Sequence, residues 1–468
     1  MIRPQAQVPG FEKPGQPTAR SPSTRSPSTK SPSIRLRVTH VISSLIRPAT
    51  REVADVPRTD RRPIRICLFG LFGGGNYGND GSLEAMLLFL RDARPDAELS
   101  CVCVDPIMIG GLHKIPTVAV SWPGFSNPLI RRLDKAAMKV PGRLMNWVRA
   151  IWHVRKFDVL LVPGTSTLCD YHSGPFGTPY GLFRWAAAAW VCRTKLCFVS
   201  TGAGPISSRL SRLMITAAAN IAHYRSFRDQ VSKDFVSSLG IDTSRDLVYP
   251  DLVFKLPTPE LPNHRIAAGR PITIAVGVMN YNGWEARKDF VIYDAYVAKI
   301  VGFVAWLLDR GLRVRLLVGE NADERVVAEL GRRLREQDYQ QLTTHAPPVA
   351  EAGQLIAEPI QSLHDIMRQI GDADMVIATR YHNVVCSLKL ARPTISIGYE
   401  AKNEAVMTDA GLKDFCQHID NFDVERLKAQ TMEMLQRMPF YEQHVRRGLE
   451  NIQHRMRQQE DFLLSSIL

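Results

Sequence analysis

From residue 64 onward the apolar positions fall into two alternating patterns. Short unbroken runs, Ile64–Gly70 (IRICLFG), Leu99–Asp105 (LSCVCVD), Asp158–Pro163 (DVLLVP) and Leu196–Thr201 (LCFVST), suit strands buried on both faces of a parallel sheet. Stretches with helical spacing lie between and after them, at Ser82–Arg91, Phe183–Arg193 and Arg209–Ala222, and Leu247–Phe254 (LVYPDLVF) reads as the last strand of this half. The alternation resumes with strands at Ile272–Val278, Arg313–Val318, Met375–Thr379 and Thr394–Tyr399. Helices are expected at Phe290–Asp309, Asp323–Glu336, Gln361–Ile370 and over Val424–Leu468. Such alternation predicts parallel sheets. Lys255–Arg270 has three prolines and little apolar content, and reads as the connection between two halves. The expected fold is α/β: two Rossmann-like domains, 63–260 and 261–440, facing a cleft, followed by a C-terminal helix over 441–468.

Residues 1–62 break the pattern. They include the pentapeptide repeat SPSTR-SPSTK-SPSIR at Ser21–Arg35, whose serine and proline bury nothing, so this tail is expected to be disordered. The formal charge of +13 sits mostly there, because residues 1–65 hold 13 Lys/Arg against 4 Asp/Glu. A nucleic-acid partner would need its basic footprint on the fold, so none is expected. The eight cysteines form no CxxC pair and no zinc spacing, which predicts buried reduced thiols in a cytoplasmic protein and no metal site. No transmembrane run and no apolar signal core are expected. Leu129–Phe157 is strongly basic and carries Trp147 and Trp152. It fits an ordinary helix pair with a solvated basic face, or a peripheral contact with an anionic membrane at its inner face. Oligomeric state is left open.

In open α/β sheets ligands bind outside the carboxyl ends of the strands. Met375–Thr379 delivers Arg380 and His382 there, and Thr394–Tyr399 delivers Lys402. Two fixed cations and one imidazole suit an anionic substrate that must also receive a proton. The first strand opens into GLFGGGNYGNDG, whose Gly74, Gly75 and Gly78 could bring backbone N–H groups to an anion, and whose Asn76, Asn79 and Asp80 suit sugar hydroxyls. The same loop could equally be a tight turn. Asp170 and His172 follow a third strand; Asp170 could take a proton from an attacking hydroxyl or cap a turn, and His172 reads as structural. Gly202 and Gly204 in GAGP could line the cleft. Arg228-Asp229 with Ser232 reads as a local ion pair and cap.

Taken in order, GGGNYGNDGSLEAM, GTSTLCD, VSTGAGPIS, SFRDQVS, YPDLVF and ATRYH…ARPTISIGYEAKNEAVMTDAGL make the chain resemble the polysaccharide pyruvyl transferase family over about residues 64–440. The resemblance implies a GT-B-like architecture and transfer of the enolpyruvyl unit of phosphoenolpyruvate onto a sugar, forming a pyruvate ketal. No further cofactor is implied. The acceptor would be a saccharide or a lipid-linked oligosaccharide bound by the N-terminal domain. By resemblance the family's Arg-x-His falls on Arg380 and His382 and its lysine on Lys402; the mechanism then expected has His382 as proton donor, Arg380 and Lys402 on the donor anion, and Asp170 as the weaker candidate for the hydroxyl's base. Two other readings suit the same fold: a glycosyltransferase using a nucleotide sugar, and a non-catalytic glycan-assembly protein.

Overall fold

The computed structural model describes residues 62–170, 173–260, 271–283, 289–342 and 354–468. The expected disordered tail up to residue 61, His172 and the second half of the proline-rich connection lie outside them. Two parallel sheets organise the chain. The first holds β1 (Arg65–Phe69), β2 (Glu98–Cys103), β3 (Thr117–Ala119), β4 (Val159–Pro163), β5 (Lys195–Thr201), β6 (Tyr224–Phe227) and β7 (Leu247–Val248), in the order β3-β2-β1-β4-β5-β6-β7. The second holds β8 (Thr273–Gly277), β9 (Arg313–Leu317), β10 (Leu355–Ala357), β11 (Met375–Ala378), β12 (Thr394–Gly398) and β13 (Cys416–His418), in the order β10-β9-β8-β11-β12-β13. Strand order reverses between β1 and β4 and between β8 and β11. Crevices at such reversals are the ligand sites of α/β sheets.

Period-two alternation explains how the first sheet is covered on both faces. Ile66 and Leu68 of β1 face one core, and Cys67 and Phe69 face the other. The first of these cores runs without a break through Leu252, Val253 and Phe254 into the second sheet, so both halves share apolar packing. The helix Met438–Ser466 lies back across the first half. Its Gln459 is buried and joins the hydroxyls of Ser200 and Ser226, each at 3.0 Å, while Arg94 and Lys195 reach the carbonyls of Leu468 and Ile467. Phe290–Leu308 is long and apolar enough to cross a membrane. It carries Asp294 and Lys299, and Val297, Ile300, Val304 and Leu307 are buried, as in the core helix of a sheet.

Several boundaries differ from the pattern-based expectation. The first helix begins at Tyr77, inside the glycine-rich loop, because Asn76 caps it by accepting from the N–H groups of Gly78 and Asn79. Leu247–Phe254 is not one strand: β7 ends at Val248, and Asp251 caps a short 3-10 turn over Leu252–Lys255. The C-terminal helical stretch is two helices, parted at Arg437, with Pro439 in the first turn of the second. The edge strands β3, β10 and β13 have three residues each, too few to show a period.

His153 packs under the first sheet, edge-on to Trp185. Burial, with Lys156 and Arg149 nearby, pushes its imidazole down to about 4. Between that value and the ordinary 6.5 the unfolded chain binds the extra proton, so stability is full above 6.5 and is lost as pH falls towards 4. The expected loss is on the order of 2 kcal/mol. Urea titrations at pH 7 and pH 5 measure it, and His153→Gln should flatten the difference.

Candidate active site at the facing strand ends

The carboxyl ends of the two sheets face each other, and a compact polar cluster fills the space between them. His382 lies in the first turn of the helix Tyr381–Lys389, directly after β11. Its Nε2 stands 3.8 Å from Oδ2 of Asp251, which follows β7 in the other half. Neither of these two atoms has a hydrogen-bond partner among the described residues. Arg228, at the end of β6, brings Nη1 to 3.5 Å from the same Asp251 oxygen, and its guanidinium lies 4.7 Å over the ring of Tyr381. Its Nη2 donates to Ser166 Oγ, in the loop after β4. Lys402 sits after β12, with its Nζ 2.8 Å from Glu400 and 5.7 Å from the Tyr381 ring centre. A cavity of about 530 Å³ opens beside this cluster, lined by Arg228, Asp251, Tyr381 and Lys402 among others.

Burial, followed by Arg228 and Lys402, drives the His382 imidazole well below its ordinary pKa. Burial raises the Asp251 carboxyl, and Arg228 partly opposes that. These surroundings favour the neutral imidazole. A negative charge brought into contact with it would reverse the effect of the two cations and favour imidazolium. Perturbed acid–base groups cluster at functional sites, and this cluster adjoins a cleft.

The glycine-rich loop serves this cluster sterically. A Cβ on Gly78 would fall 1.9 Å from His382 Nδ1, so only glycine lets the first helix approach the imidazole. Gly81 makes the same allowance for Leu363, and the Tyr77 hydroxyl donates to the Ile360 carbonyl and meets the Asn321 amide across the halves. Gly75 has φ +82 and faces Asn321, whereas Gly74 packs on the Leu71 carbonyl. The polar side chains read as partners for sugar hydroxyls are partly occupied. Asn76 caps its own helix, and Asp80 accepts from the Gly73 N–H at 2.7 Å, with burial raising its pKa to about 6. Asn79 adds its backbone N–H to the same cap. Gly78→Ala should force His382 or the first helix to shift and lower the stability of the contact between the halves; thermal unfolding of the variant beside the wild type would check it.

The remaining candidates are distributed differently from expectation. Arg380 is not open towards the cleft on its Nε and Nη2 edges. Asp323 takes Nε at 2.8 Å and Nη2 at 2.6 Å, and Glu320 takes Nη2 at 2.5 Å. Burial opposes its charge, but these hydrogen bonds outweigh the opposition and hold it protonated. The cations around His382 are instead Arg228 and Lys402. Asp170 is buried and accepts from the N–H and hydroxyl of Ser207. It belongs to the loop packing after β4 and β5, and Asp251 is the carboxylate that meets the imidazole. Gly202 gives room to Arg228 and Ser166, with a Cβ there falling 2.7 Å from each, and Gly204 lies beside Cys169. Arg228 and Asp229 form the expected ion pair at 3.5 Å, and Asp229 caps Ser232. The wider part of Arg228 was not legible from that local pattern. Asp251 was missed because LVYPDLVF was read as strand throughout; ending the strand before Pro250 places Asp251 at a carboxyl end.

The sequence profile of the family described as polysaccharide pyruvyl transferase matches residues 76–401, which includes every member of the cluster except Lys402. The amylovoran biosynthesis protein AmsJ of Erwinia amylovora is 22% identical over 422 residues, covering 83% of this chain and 96% of that protein. Among solved structures, a glycosyltransferase from Rickettsia africae superposes with a TM-score of 0.52 at 9% identity, over 86% of this chain and 99% of that one. The UDP-GlcNAc 2-epimerase of Neisseria meningitidis gives 0.51 at 10% identity, over 81% and 93%. At these identities the likeness concerns the fold alone, which is GT-B-like.

Proposed function

We propose, from the premise that the chain belongs to the polysaccharide pyruvyl transferase family, that it moves the enolpyruvyl unit of phosphoenolpyruvate onto a saccharide and forms a pyruvate ketal. The observation that carries this reading is the His382–Asp251 pair set between Arg228 and Lys402. Ketal formation begins with a proton delivered to the methylene carbon of the donor. His382, made imidazolium by the arriving anion, supplies that proton, and Asp251 orients the ring and stabilises the cation. The carbon bearing the phosphate becomes electron-poor. One sugar hydroxyl adds to it and gives up its proton; the carbon–oxygen bond to phosphate breaks; a second hydroxyl of the same sugar closes the ring. The two hydroxyl protons balance the one placed on the methyl group and the one that leaves with phosphate. Lys402 and Arg228 offset the negative charge of donor and leaving group. Arg380 holds the second-half loop at Glu320 and Asp323.

Incubation of the full chain with phosphoenolpyruvate labelled in its vinyl carbons and a mixed fraction of lipid-linked and free oligosaccharides tests the reading. Acid-labile label in saccharide, with an equal amount of inorganic phosphate, is expected. Sugar transfer from a labelled nucleotide sugar, with none from phosphoenolpyruvate, would replace this proposal by a glycosyltransferase.

A further inference from the structure

Two helices between β3 and β4 stand apart from the rest of the fold. Pro128–Ala136 buries none of its residues. From Pro128 to Pro141 every residue except Asp134 is exposed. Asp134 holds the turn, accepting from the Gly142 N–H at 2.8 Å, so the two helices form a tied hairpin. The second, Val140–Val154, is anchored to the first half by Ala150, His153 and Val154. The exposed side chains are largely apolar: Leu129 is 65% exposed, Leu133 68%, Met138 77% and Leu144 64%. Monomeric proteins rarely leave such a contiguous apolar set uncovered.

Arg131, Arg132, Lys135 and Lys139 are exposed among these apolar residues, and over Leu129–Lys156 eight basic residues face one acidic residue. This charge decides what can cover the face. A second copy would bring like charges together, and the centres of protein interfaces are poor in lysine. An anionic bilayer accepts both components, because acyl chains take the apolar side chains and headgroups pair with the cations. Trp152 is half-exposed, with the Lys156 Nζ 3.5 Å over its ring, an arrangement suited to the headgroup level.

We infer that the hairpin Pro128–Val154 docks this protein on an anionic lipid surface. The surface adjoins the loop after β4: the Arg143 guanidinium lies 4.3 Å over the ring of Phe176, itself exposed on that loop. Docking there sets one flank of the cleft against the bilayer and favours acceptors carried on lipid; that consequence rests on the function proposed above, whereas the docking does not.

Co-sedimentation of the full chain with phosphatidylglycerol–phosphatidylcholine vesicles at physiological ionic strength, beside phosphatidylcholine alone, tests the inference without any substrate. Binding to the anionic vesicles is expected. Arg131→Gln, Arg132→Gln and Lys135→Gln together should weaken it on the order of 100-fold, from the usual contribution of a basic residue near such a surface. Leu129→Ser, Leu133→Ser and Leu144→Ser together should weaken it by roughly tenfold or more, with thermal unfolding unchanged because these side chains are exposed. The basic tail before residue 62 attracts anions by charge alone, so it would not register the apolar substitutions. No binding by the wild type, or binding by either triple variant as tight as that of the wild type, would overturn the inference. So would a wild-type dimer that the serine variant dissolves, which would assign the face to self-association.

Discussion

His382→Asn lowers turnover by about 1,000-fold or more, within the upper range for loss of a positioned general acid, and leaves the fold intact. The reason lies in how the imidazole is held. Its Nε2 makes no hydrogen bond among the described residues, so asparagine strips no partner of a bond. Asparagine cannot carry the proton, so the methylene carbon of the donor loses the acid assigned to it. Phosphate release from phosphoenolpyruvate with acceptor, alongside a melting curve, measures both halves of the expectation. Near-normal turnover by the variant would remove His382 from the chemistry. The pH dependence has a definite sign. The free-site pKa of His382 is depressed by burial and two cations, so donor binding at neutral pH requires proton uptake. The KM for the donor should therefore rise with pH above the free-site pKa and level off above the pKa of the bound complex.

Arg380→Ala is expected to be costly in a different quantity. Asp323 is fully buried and accepts from the N–H groups of Asn280 and Gly319, and Arg380 is the cation that balances it. Removing one member of a buried ion pair leaves an uncompensated charge and destabilises by about 3–5 kcal/mol. Glu320 loses the same partner, and its bridge to Asn76 ties the second half to the glycine loop. The variant should unfold at lower urea and lose activity with it. Lysine should not restore either property, because it cannot bond both Asp323 oxygens in the fork geometry of arginine. Unchanged urea stability, with only a higher donor requirement, would return Arg380 to a direct role on the donor.

Much of the architecture was legible because buried parallel strands write themselves as apolar runs. The strands carrying Arg65–Phe69, Val159–Pro163, Met375–Ala378 and Thr394–Gly398 all appeared where the runs were, and with them the placement of His382 and Lys402 at strand ends. What the runs could not show were pairings across the two halves. Asp251 and His382 are 131 positions apart in the chain and meet only because both sheets turn their carboxyl ends to one cleft. Gly78 looked like a candidate for contacting an anion, and its absent side chain proved to matter for the approach to His382. Arg380 looked like a donor anchor because local sequence does not reveal Glu320 and Asp323. The exposed face of Pro128–Ala136 was also invisible, since an amphipathic pattern states which residues share a side and not whether anything covers it.

The most direct test is calorimetric titration of the full chain with phosphoenolpyruvate at neutral pH, in two buffers of different ionisation enthalpy, beside His382→Asn. The account predicts saturable binding whose enthalpy differs between the buffers, reporting proton uptake, and loss of that difference in the variant. Binding with no buffer dependence, or with the same dependence in the variant, would contradict the placement of the proton on His382; no saturable binding would contradict the donor itself.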